Sequence, residues 1–253
     1  MKDSTGCGTL YGIGVGPGDP GLMTVKGASL LGKCRHLFVP KARTEANSLA
    51  LSIAKTYLRE QAEIHELVFP MSADEEELSA HWQKNASEIN DILAKGEDAC
   101  FITLGDPFLY STFIYLVREL RQLRPEVRIV SVPGVTAFSA AASLCTFPVG
   151  EGRDGVTIIP AVEDLDHIRR VLRDKGTVIL MKIGGRLREV IGLLEEEGVI
   201  GGSVFVSRVG MADQRLETDL LSLRDAAPET GYLSIILVHA KGNENGLANP
   251  SPP

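Results

Sequence analysis

The sequence predicts an α/β protein of two domains with mostly parallel or mixed sheets. Short runs of β-branched residues alternate with longer segments of helical periodicity along nearly the whole chain, and this alternation is typical of parallel sheets covered by helices. Of the 253 residues, 44% are apolar and 23% are charged, a balance that supports a large buried core. At roughly 150 residues per domain, this length allows two compact domains.

The first half of the chain is predicted to contain five strands and four helices. The strands are placed at 8–15, 36–39, 64–69, 99–104 and 127–132, and the helices at 24–34, 48–58, 74–95 and 111–123. The last of these helices carries Phe113, Leu116 and Leu120 on one face, which is the spacing of a helix packed against a sheet. Acidic residues at 74–77 suit a helix start, because the helix dipole favours negative charge there.

The second half repeats this order of elements. Its strands are placed at 155–160, 177–181, 204–208 and 232–239, and its helices at 137–145, 165–173 and 186–197. The domain boundary is placed after residue 128, which gives domains at 1–128 and 129–241. Residues 242–253 are rich in Gly, Asn and Pro and are predicted to form a flexible tail.

The composition argues against several classes of protein. A net charge of −7, from 26 basic and 33 acidic residues, argues against nucleic acid as a partner, because nucleic-acid-binding proteins need a cationic surface. No apolar run approaches the roughly 18 residues of a membrane span, so no membrane partner is expected. The first residues lack the apolar core of a secretory signal. The four cysteines are far apart, which argues against disulfides and zinc sites and favours a cytoplasmic location.

Glycine-rich loops follow the predicted strands, and ligands of open α/β sheets collect at the carboxyl ends of strands. Residues 16–21 match the G-x-G-x-x-G pattern of nucleotide-binding loops. Within them, however, Pro17 and Pro20 remove amide donors that a phosphate group would use. A tight turn and a ligand-binding loop therefore both remain open for this segment.

The loop at 104–112 combines two residue types that suit a ligand site. Gly105 allows close approach of the main chain, and Asp106 can accept hydrogen bonds from main-chain amides or from a ligand. A purely structural turn explains the same residues. Three further strand-end loops, none of them specific alone, lie at 132–137, 181–186 and 207–211.

The sequence lacks the common catalytic signatures. It contains no G-x-S-x-G elbow, no Walker A loop, no H-E-x-x-H motif and no kinase motifs. The five histidines are scattered and show no metal-ligand spacing, so no metal is predicted.

Three loops taken together resemble those of the tetrapyrrole methylase family, namely residues 14–24, 105–110 and 133–136. The segments most similar to the branch that methylates C20 of precorrin-2 or cobalt-factor II are 105–116, 177–182 and 232–234. The resemblance extends over residues 8–239. It implies S-adenosylmethionine as methyl donor and a tetrapyrrole substrate of cobalamin biosynthesis. It also implies a homodimer and a ligand cleft between the two α/β domains.

The resemblance further implies which residues act. Those expected to bind the cofactor are Pro17, Leu104, Gly105, Asp106, Leu109, Thr136, Ala137, Met181, Met211, Leu233 and Ser234. The sulfonium methyl is already activated, and an electron-rich meso carbon can attack it, so the protein must chiefly align the reactants and exclude water. Asp106 and Tyr110 are the candidate catalytic residues for removing the meso proton.

A tetrapyrrole substrate carries many carboxylates, so the substrate site of this acidic chain must be locally positive. Six basic residues at or near the predicted strand ends are assigned to it: Lys41, Arg43, Arg153, Lys182, Arg186 and Arg208. We expect Arg43→Ala or Arg153→Ala to weaken tetrapyrrole binding and to leave S-adenosylmethionine binding unchanged.

Other functions compatible with the sequence remain open. Relatives of the same fold methylate other tetrapyrrole positions, a protein or ribosomal RNA. An NADP-dependent oxidoreductase could use the glycine loop together with Lys41 and Arg43 to hold a 2′-phosphate. A non-catalytic ligand-binding module is the third alternative. Nothing in the sequence chooses between a metal-free and a cobalt-containing substrate.

Overall fold

The computed structural model describes residues 6–42, 47–70, 74–161, 164–174 and 176–240, apart from the side chain of Glu75. Contacts between Cα atoms divide the chain into two compact units, Met1–Thr136 and Ala137–Pro253. The predicted tail at 242–253 lies outside the described residues.

The first unit is a parallel five-stranded sheet with helices between its strands. Its strands are β1 (Thr9–Gly14), β2 (His36–Lys41), β3 (Glu63–Val68), β4 (Ala99–Thr103) and β5 (Arg128–Val132). Its helices are α1 (Val25–Leu31), α2 (Leu49–Ala54), α3 (Glu75–Leu93) and α4 (Phe113–Leu123). The strand order is β3-β2-β4-β1-β5, and every neighbouring pair is parallel.

Three of these helices begin at side-chain caps, which is why they start where the sequence predicts. Thr24 accepts a hydrogen bond from the third residue beyond it, Gly27, at 3.2 Å, and Ser48 makes the same kind of bond to the helix that follows it. Asp74 accepts from the main-chain N–H of Glu76 at 2.9 Å, and its negative charge also suits the helix dipole.

Apolar clusters cover both faces of the first sheet. Phe38, Phe101 and Phe113 belong to the cluster beneath α3 and α4, while Ile13 and Ile102 belong to the cluster beneath α1 and α2. A sheet buried on both faces explains why its strands are continuous apolar runs rather than alternating ones.

The second unit is a mixed five-stranded sheet. Its strands are β6 (Val156–Pro160), β7 (Thr177–Met181), β8 (Ser203–Ser207), β9 (Arg215–Glu217) and β10 (Ser234–His239). Its helices are α5 (Ala137–Cys145), α6 (Leu165–Val171) and α7 (Leu187–Glu196). The order is β6-β7-β10-β8-β9, with β6 parallel to β7 and the remaining pairs antiparallel.

The predicted α/β class with parallel or mixed sheets is confirmed. Strand β9 was not predicted, because its three residues are too few to show an alternating pattern. β5 pairs with β1 and so belongs to the first unit. All four cysteines are free thiols. Within the described part of the chain, no helix combines the length and the apolar character needed to cross a bilayer.

Candidate active site

The carboxyl ends of β1, β4 and β5 meet at one edge of the parallel sheet, and the loops that follow them pack main chain against main chain. A Cβ added at Gly134 would lie 2.0 Å from the carbonyl oxygen of Gly105, and one at Gly14 would lie 2.4 Å from the same oxygen. Gly105 also exchanges two main-chain hydrogen bonds with Gly16, of 2.8 and 3.3 Å. A side chain at Gly14 or Gly134 would therefore clash with the main chain of the neighbouring loop.

The carboxylate of Asp106 ties two of these loops together. Its Oδ1 accepts a hydrogen bond from the N–H of Phe108 at 2.9 Å, and its Oδ2 accepts one from the N–H of Gly134 at 3.1 Å. The side chain thus holds the turn after β4 against the turn after β5. This geometry supports a positioning role for Asp106, and a direct catalytic role stays a prediction.

One side of the turn after β4 is open. Gly105 has a φ of +68°, and no atom lies within 4 Å of the position that a Cβ would take there. Leu104 and Leu109 are half-buried in the same loop, and Tyr110 is 39% exposed. A ligand can therefore approach the main chain of this turn closely, which suits recognition through main-chain groups.

The remaining cofactor residues predicted in the first unit have different surroundings. Thr136 ends the unit and is half-buried, as is Ala137 at the start of the next one. Pro17 is buried in the loop after β1. A direct contact of its side chain with a ligand stays a prediction.

The loop after β1 does not form a phosphate cradle. The N–H of Gly16 donates to the carbonyl of Gly105, and the N–H of Gly21 donates to Asp19 Oδ1 at 2.7 Å. Pro17 and Pro20 have no N–H to offer. Since two of the six residues at 16–21 have no N–H and the N–H groups of Gly16 and Gly21 are used within the protein, this geometry argues against the NADP-dependent alternative.

A second group of predicted residues meets at one edge of the mixed sheet. Because β10 runs antiparallel to β7 and β8, its amino end lies beside their carboxyl ends. The residues gathered there are Met181, Lys182, Arg208, Leu233 and Ser234. The N–H of Arg208 donates to the carbonyl of Leu233 at 2.9 Å, and the N–H of Met211 donates to the carbonyl of Arg208 at 2.9 Å. Ser234 Oγ donates to the carbonyl of Gly231 at 2.7 Å, so this hydroxyl is used to hold the turn.

Backbone strain is concentrated on predicted site residues. Among the described residues, the non-glycine positions with positive φ are Tyr110 (52°), Thr146 (52°), Lys182 (55°), Arg208 (51°) and Leu233 (53°). Apart from Thr146, all were predicted to bind cofactor or substrate or to act in catalysis. Such conformations cost about 1–3 kcal/mol each and cluster at functional sites, where the surrounding structure enforces them.

Most of the predicted substrate-binding cations have acidic partners. Lys41 Nζ lies 2.9 Å from Glu66 Oε2, and its side chain is only 9% exposed. Arg186 Nη2 lies 2.6 Å from Glu189 Oε2 in an exposed ion pair. Arg208 Nη1 lies 3.1 Å from Asp213 Oδ2, and its guanidinium sits 5.9 Å from the centre of the Tyr232 ring.

The structure does not bring all six predicted cations together. Arg153 precedes β6, and β6 is parallel to β7, so Arg153 lies at the opposite edge of the mixed sheet from Lys182 and Arg208. The strand pairing therefore separates Arg153 from these two residues. Strand direction was the missing information, because sequence alone did not show which end of β6 faces the site. Arg43 lies outside the described residues.

Tyr232 is a residue of this edge that the sequence analysis did not assign to the site. It is 52% exposed beside the Arg208 guanidinium, although it begins a segment that carries the family resemblance. The signal that could have found it was an aromatic residue two positions before a buried strand.

The family model and the relatives that match this chain all belong to one family of enzymes. The family model of the Tetrapyrrole (Corrin/Porphyrin) Methylases matches residues 9–223. The chain is 35% identical over 232 residues to the cobalt-precorrin-2 C(20)-methyltransferase of Salmonella typhimurium, covering 92% of this chain and 96% of that protein. It is 32% identical over 231 residues to a probable cobalt-precorrin-2 C(20)-methyltransferase of Methanocaldococcus jannaschii, covering 90% and 95%.

A solved structure supports the fold. Uroporphyrin-III C-methyltransferase from Thermus thermophilus, solved in complex with S-adenosyl homocysteine, superposes with a TM-score of 0.62. The match covers 92% of this chain and 97% of that one at 20% sequence identity.

Proposed function

The chain belongs to the tetrapyrrole methylase family, and from this we propose that it transfers the methyl group of S-adenosylmethionine to C20 of precorrin-2 or cobalt-factor II in cobalamin biosynthesis. The observation that carries this proposal is the 35% identity to a cobalt-precorrin-2 C(20)-methyltransferase over 92% of the chain. A second relative at 32% identity bears the same activity in its name. Both names favour the cobalt-containing form of the substrate.

The first unit fits the proposed methyl donor. The open side of Gly105 leaves room for a flat group against the main chain, and a Cβ would occupy that room. Leu104 and Leu109 offer apolar surface beside it, and Tyr110 is accessible. The structure complexed with S-adenosyl homocysteine, which shares the fold, supports a donor of this kind. The predicted contacts from the second unit, at Met181, Met211 and the pair 233–234, are part of the proposal.

The proposed reaction requires the protein to align the methyl donor with the meso carbon, and it requires no nucleophile from the protein. When bound, S-adenosylmethionine supplies a methyl group that its sulfonium sulfur has already activated. The meso carbon of the tetrapyrrole forms the new C–C bond as the C–S bond breaks, and that carbon then releases a proton. The chain contributes a fixed main-chain surface, because Asp106 and Gly134 lock the turn after β4 in place. Such fixed geometry is worth several kcal/mol of the barrier.

Tyr110 is the remaining candidate for a direct part in the reaction. Its strained backbone turns an exposed ring out of the loop between β4 and α4. We propose that this ring orients the tetrapyrrole or excludes water beside the transferred methyl group.

The second unit supplies the positive charge for the tetrapyrrole carboxylates. Lys182 and Arg208 lie at one sheet edge on backbone conformations that the fold enforces. An arginine can bind a carboxylate through two parallel hydrogen bonds. The Arg208 side chain is 36% exposed although it pairs with Asp213, so its guanidinium is accessible to a substrate.

We expect Arg208→Gln to raise KM for the tetrapyrrole by about tenfold, because one charge-assisted hydrogen bond is lost. The Kd for S-adenosylmethionine should stay unchanged. Glutamine keeps the side-chain stem, and steady-state kinetics together with calorimetry measure both quantities. Arg153→Gln, at the other edge of the same sheet, is the matched control and should leave KM near the wild-type value. An equal rise in KM for both variants would show that this edge is not the carboxylate site.

Turnover with a radiolabelled methyl donor tests the proposed function against its alternatives. We expect label in the tetrapyrrole when precorrin-2 or cobalt-factor II is supplied, with higher kcat/KM for the cobalt form. Label in a protein or in ribosomal RNA would contradict the proposal, as would binding of NADPH in place of S-adenosylmethionine. We further propose a homodimer in the cytoplasm, and light scattering that reports a monomer would contradict the dimer.

A further inference from the structure

A cluster of histidine and glutamate side chains lies at the amino-terminal ends of β2 and β3, the edge opposite the glycine-rich turns. In the parallel register of these strands, His36 pairs with Glu63 and Phe38 pairs with His65. Side chains alternate between the two faces of a sheet, so these four residues share one face. His36 is buried, His65 is half-buried and Glu63 is exposed; these three residues form what we name the His36 cluster.

The donor atoms of the His36 cluster have the spacing of metal ligands. His36 Nδ1 lies 3.2 Å from His65 Nε2 and 3.3 Å from Glu63 Oε2, and all three atoms lie within 4.8 Å of one another. Two ligands bound tetrahedrally at zinc distances are about 3.3 Å apart. Within the described part of the chain, this is the only such group of His, Cys, Asp and Glu side chains.

A carboxylate lies on the far side of each imidazole ring. His36 Nε2 lies 2.9 Å from Glu97 Oε2, so this nitrogen donates and Nδ1 presents its lone pair to the cluster. His65 Nδ1 lies 3.9 Å from Glu88 Oε1, which is too far for a hydrogen bond, and His65 Nε2 lies 3.2 Å from His36 Nδ1. A metal ion would take the place of the proton that these two nitrogens share. A carboxylate behind each imidazole is the arrangement that orients histidines on a metal.

The third donor is held in position by an arginine. Arg35 donates from Nε at 2.8 Å and from Nη2 at 2.6 Å to Glu63 Oε1, which leaves Oε2 directed at His36. The hydrogen bond from Arg35 holds the pKa of Glu63 below its usual value. A metal ion binds a carboxylate in its ionised form and an imidazole in its neutral form.

We infer that His36 Nδ1, His65 Nε2 and Glu63 Oε2 bind one divalent transition-metal ion of the Zn²⁺ type, with water completing the coordination. Imidazole nitrogens with a single carboxylate suit zinc and its neighbours in the first transition series, whereas calcium and magnesium prefer oxygen ligands only. The ion would join the edge strand β3 to β2. The site lies away from the turns proposed to bind the methyl donor, and the inference does not depend on the proposed function.

Calorimetric titration of the whole protein with Zn²⁺ tests this inference. We expect one Zn²⁺ per chain and a rise in Tm on binding, because only the folded state brings the three donors together. His65→Gln should weaken Zn²⁺ binding by at least tenfold and remove the rise in Tm. Co²⁺ added in place of Zn²⁺ should give the visible absorption of a site with low coordination number, and this absorption should be lost in the same variant.

His167→Gln is the matched control, since His167 is exposed on α6 outside the His36 cluster. It should bind Zn²⁺ as the wild type does. Glu97→Gln removes the charge behind His36, which also lies 3.7 Å from Arg35 Nη1, and changes none of the three donors, so it should retain the fold and weaken binding less than His65→Gln does. Stoichiometric Zn²⁺ binding that persists equally in His65→Gln and Glu97→Gln would overturn the assignment, as would a wild-type protein that binds no Zn²⁺.

Discussion

Gly134→Ala should abolish detectable binding of S-adenosylmethionine. The added methyl carbon would lie 2.0 Å from the carbonyl oxygen of Gly105 and 2.8 Å from the Cα of Gly14. These neighbours are main-chain atoms of strand-end loops and have no side-chain rotamer through which to relax. The loops after β1, β4 and β5 must therefore separate, and the surface proposed to bind the donor is lost. Overpacking of this kind also costs about 1–3 kcal/mol of stability.

Isothermal calorimetry with S-adenosylmethionine and thermal unfolding measure the two effects separately. Gly192→Ala is the control, because Gly192 lies inside α7 with no atom within 4 Å of its Cβ position. Alanine there should bind the donor normally and gain up to about 1 kcal/mol from helix propensity. Wild-type affinity in Gly134→Ala would rule out the glycine turns as the donor site.

A second glycine variant separates loss of binding from loss of folding. In Gly105→Ala the methyl group would meet no protein atom within 4 Å, although the φ of +68° makes alanine strained. The protein should fold with a small loss of stability, of about 1–2 kcal/mol. The methyl group would project into the space proposed for the donor, so affinity should still fall at least tenfold. A folded Gly105→Ala protein with normal affinity would place the donor elsewhere.

Tyr110→Asn should reduce kcat/KM by more than tenfold while stability stays the same or rises. Asparagine tolerates the left-handed backbone better than tyrosine does, so the strain at φ 52° is partly relieved. The exposed aromatic ring, however, is lost from the site. Tyr110→Phe distinguishes the phenol from the ring: retained activity assigns an orienting role, and lost activity assigns a role in proton removal.

Thr146 provides the matched control for this effect. It has the same φ of 52° and is exposed just after α5, but no site prediction involves it. Thr146→Asn should gain similar stability, of the order of 1 kcal/mol, with unchanged kcat/KM. Full activity in Tyr110→Asn, or an equal loss in Thr146→Asn, would contradict the view that strain at residue 110 serves the reaction.

The strands and helices could be predicted from the sequence because their signals are local. Caps at Thr24, Ser48 and Asp74 mark helix starts, and buried strands are short apolar runs. Strand direction is not local. Residues 232–239 read as a strand whether β10 runs parallel or antiparallel, and only the antiparallel pairing brings Leu233 beside Arg208.

The sequence predicted which loops form the candidate site, but it did not predict which loops and side chains contact one another. Gly105 indicated a close approach of the main chain, yet the sequence could not show that the approaching partners are the loops that contain Gly14 and Gly134. The direction of β6 was also unknown from the sequence, so it could not show at which edge of the mixed sheet Arg153 lies. His36 and His65 are separated by a helix and a turn, and only the register of β2 against β3 brings them together. The sequence signal that could have suggested this site is the placement of Glu63 and His65 two residues apart, which is the spacing of side chains on one face of a strand.

In the proposed reaction, the protein moves one activated methyl group onto C20 of the tetrapyrrole. The most direct measurement is incubation with S-adenosylmethionine labelled with ¹³C in the methyl group, followed by mass spectrometry and NMR of the tetrapyrrole. We predict one new labelled methyl per tetrapyrrole, attached to C20, with one S-adenosyl homocysteine formed for each. A labelled methyl at any other carbon, or an unlabelled tetrapyrrole in the presence of bound donor, would contradict the claim.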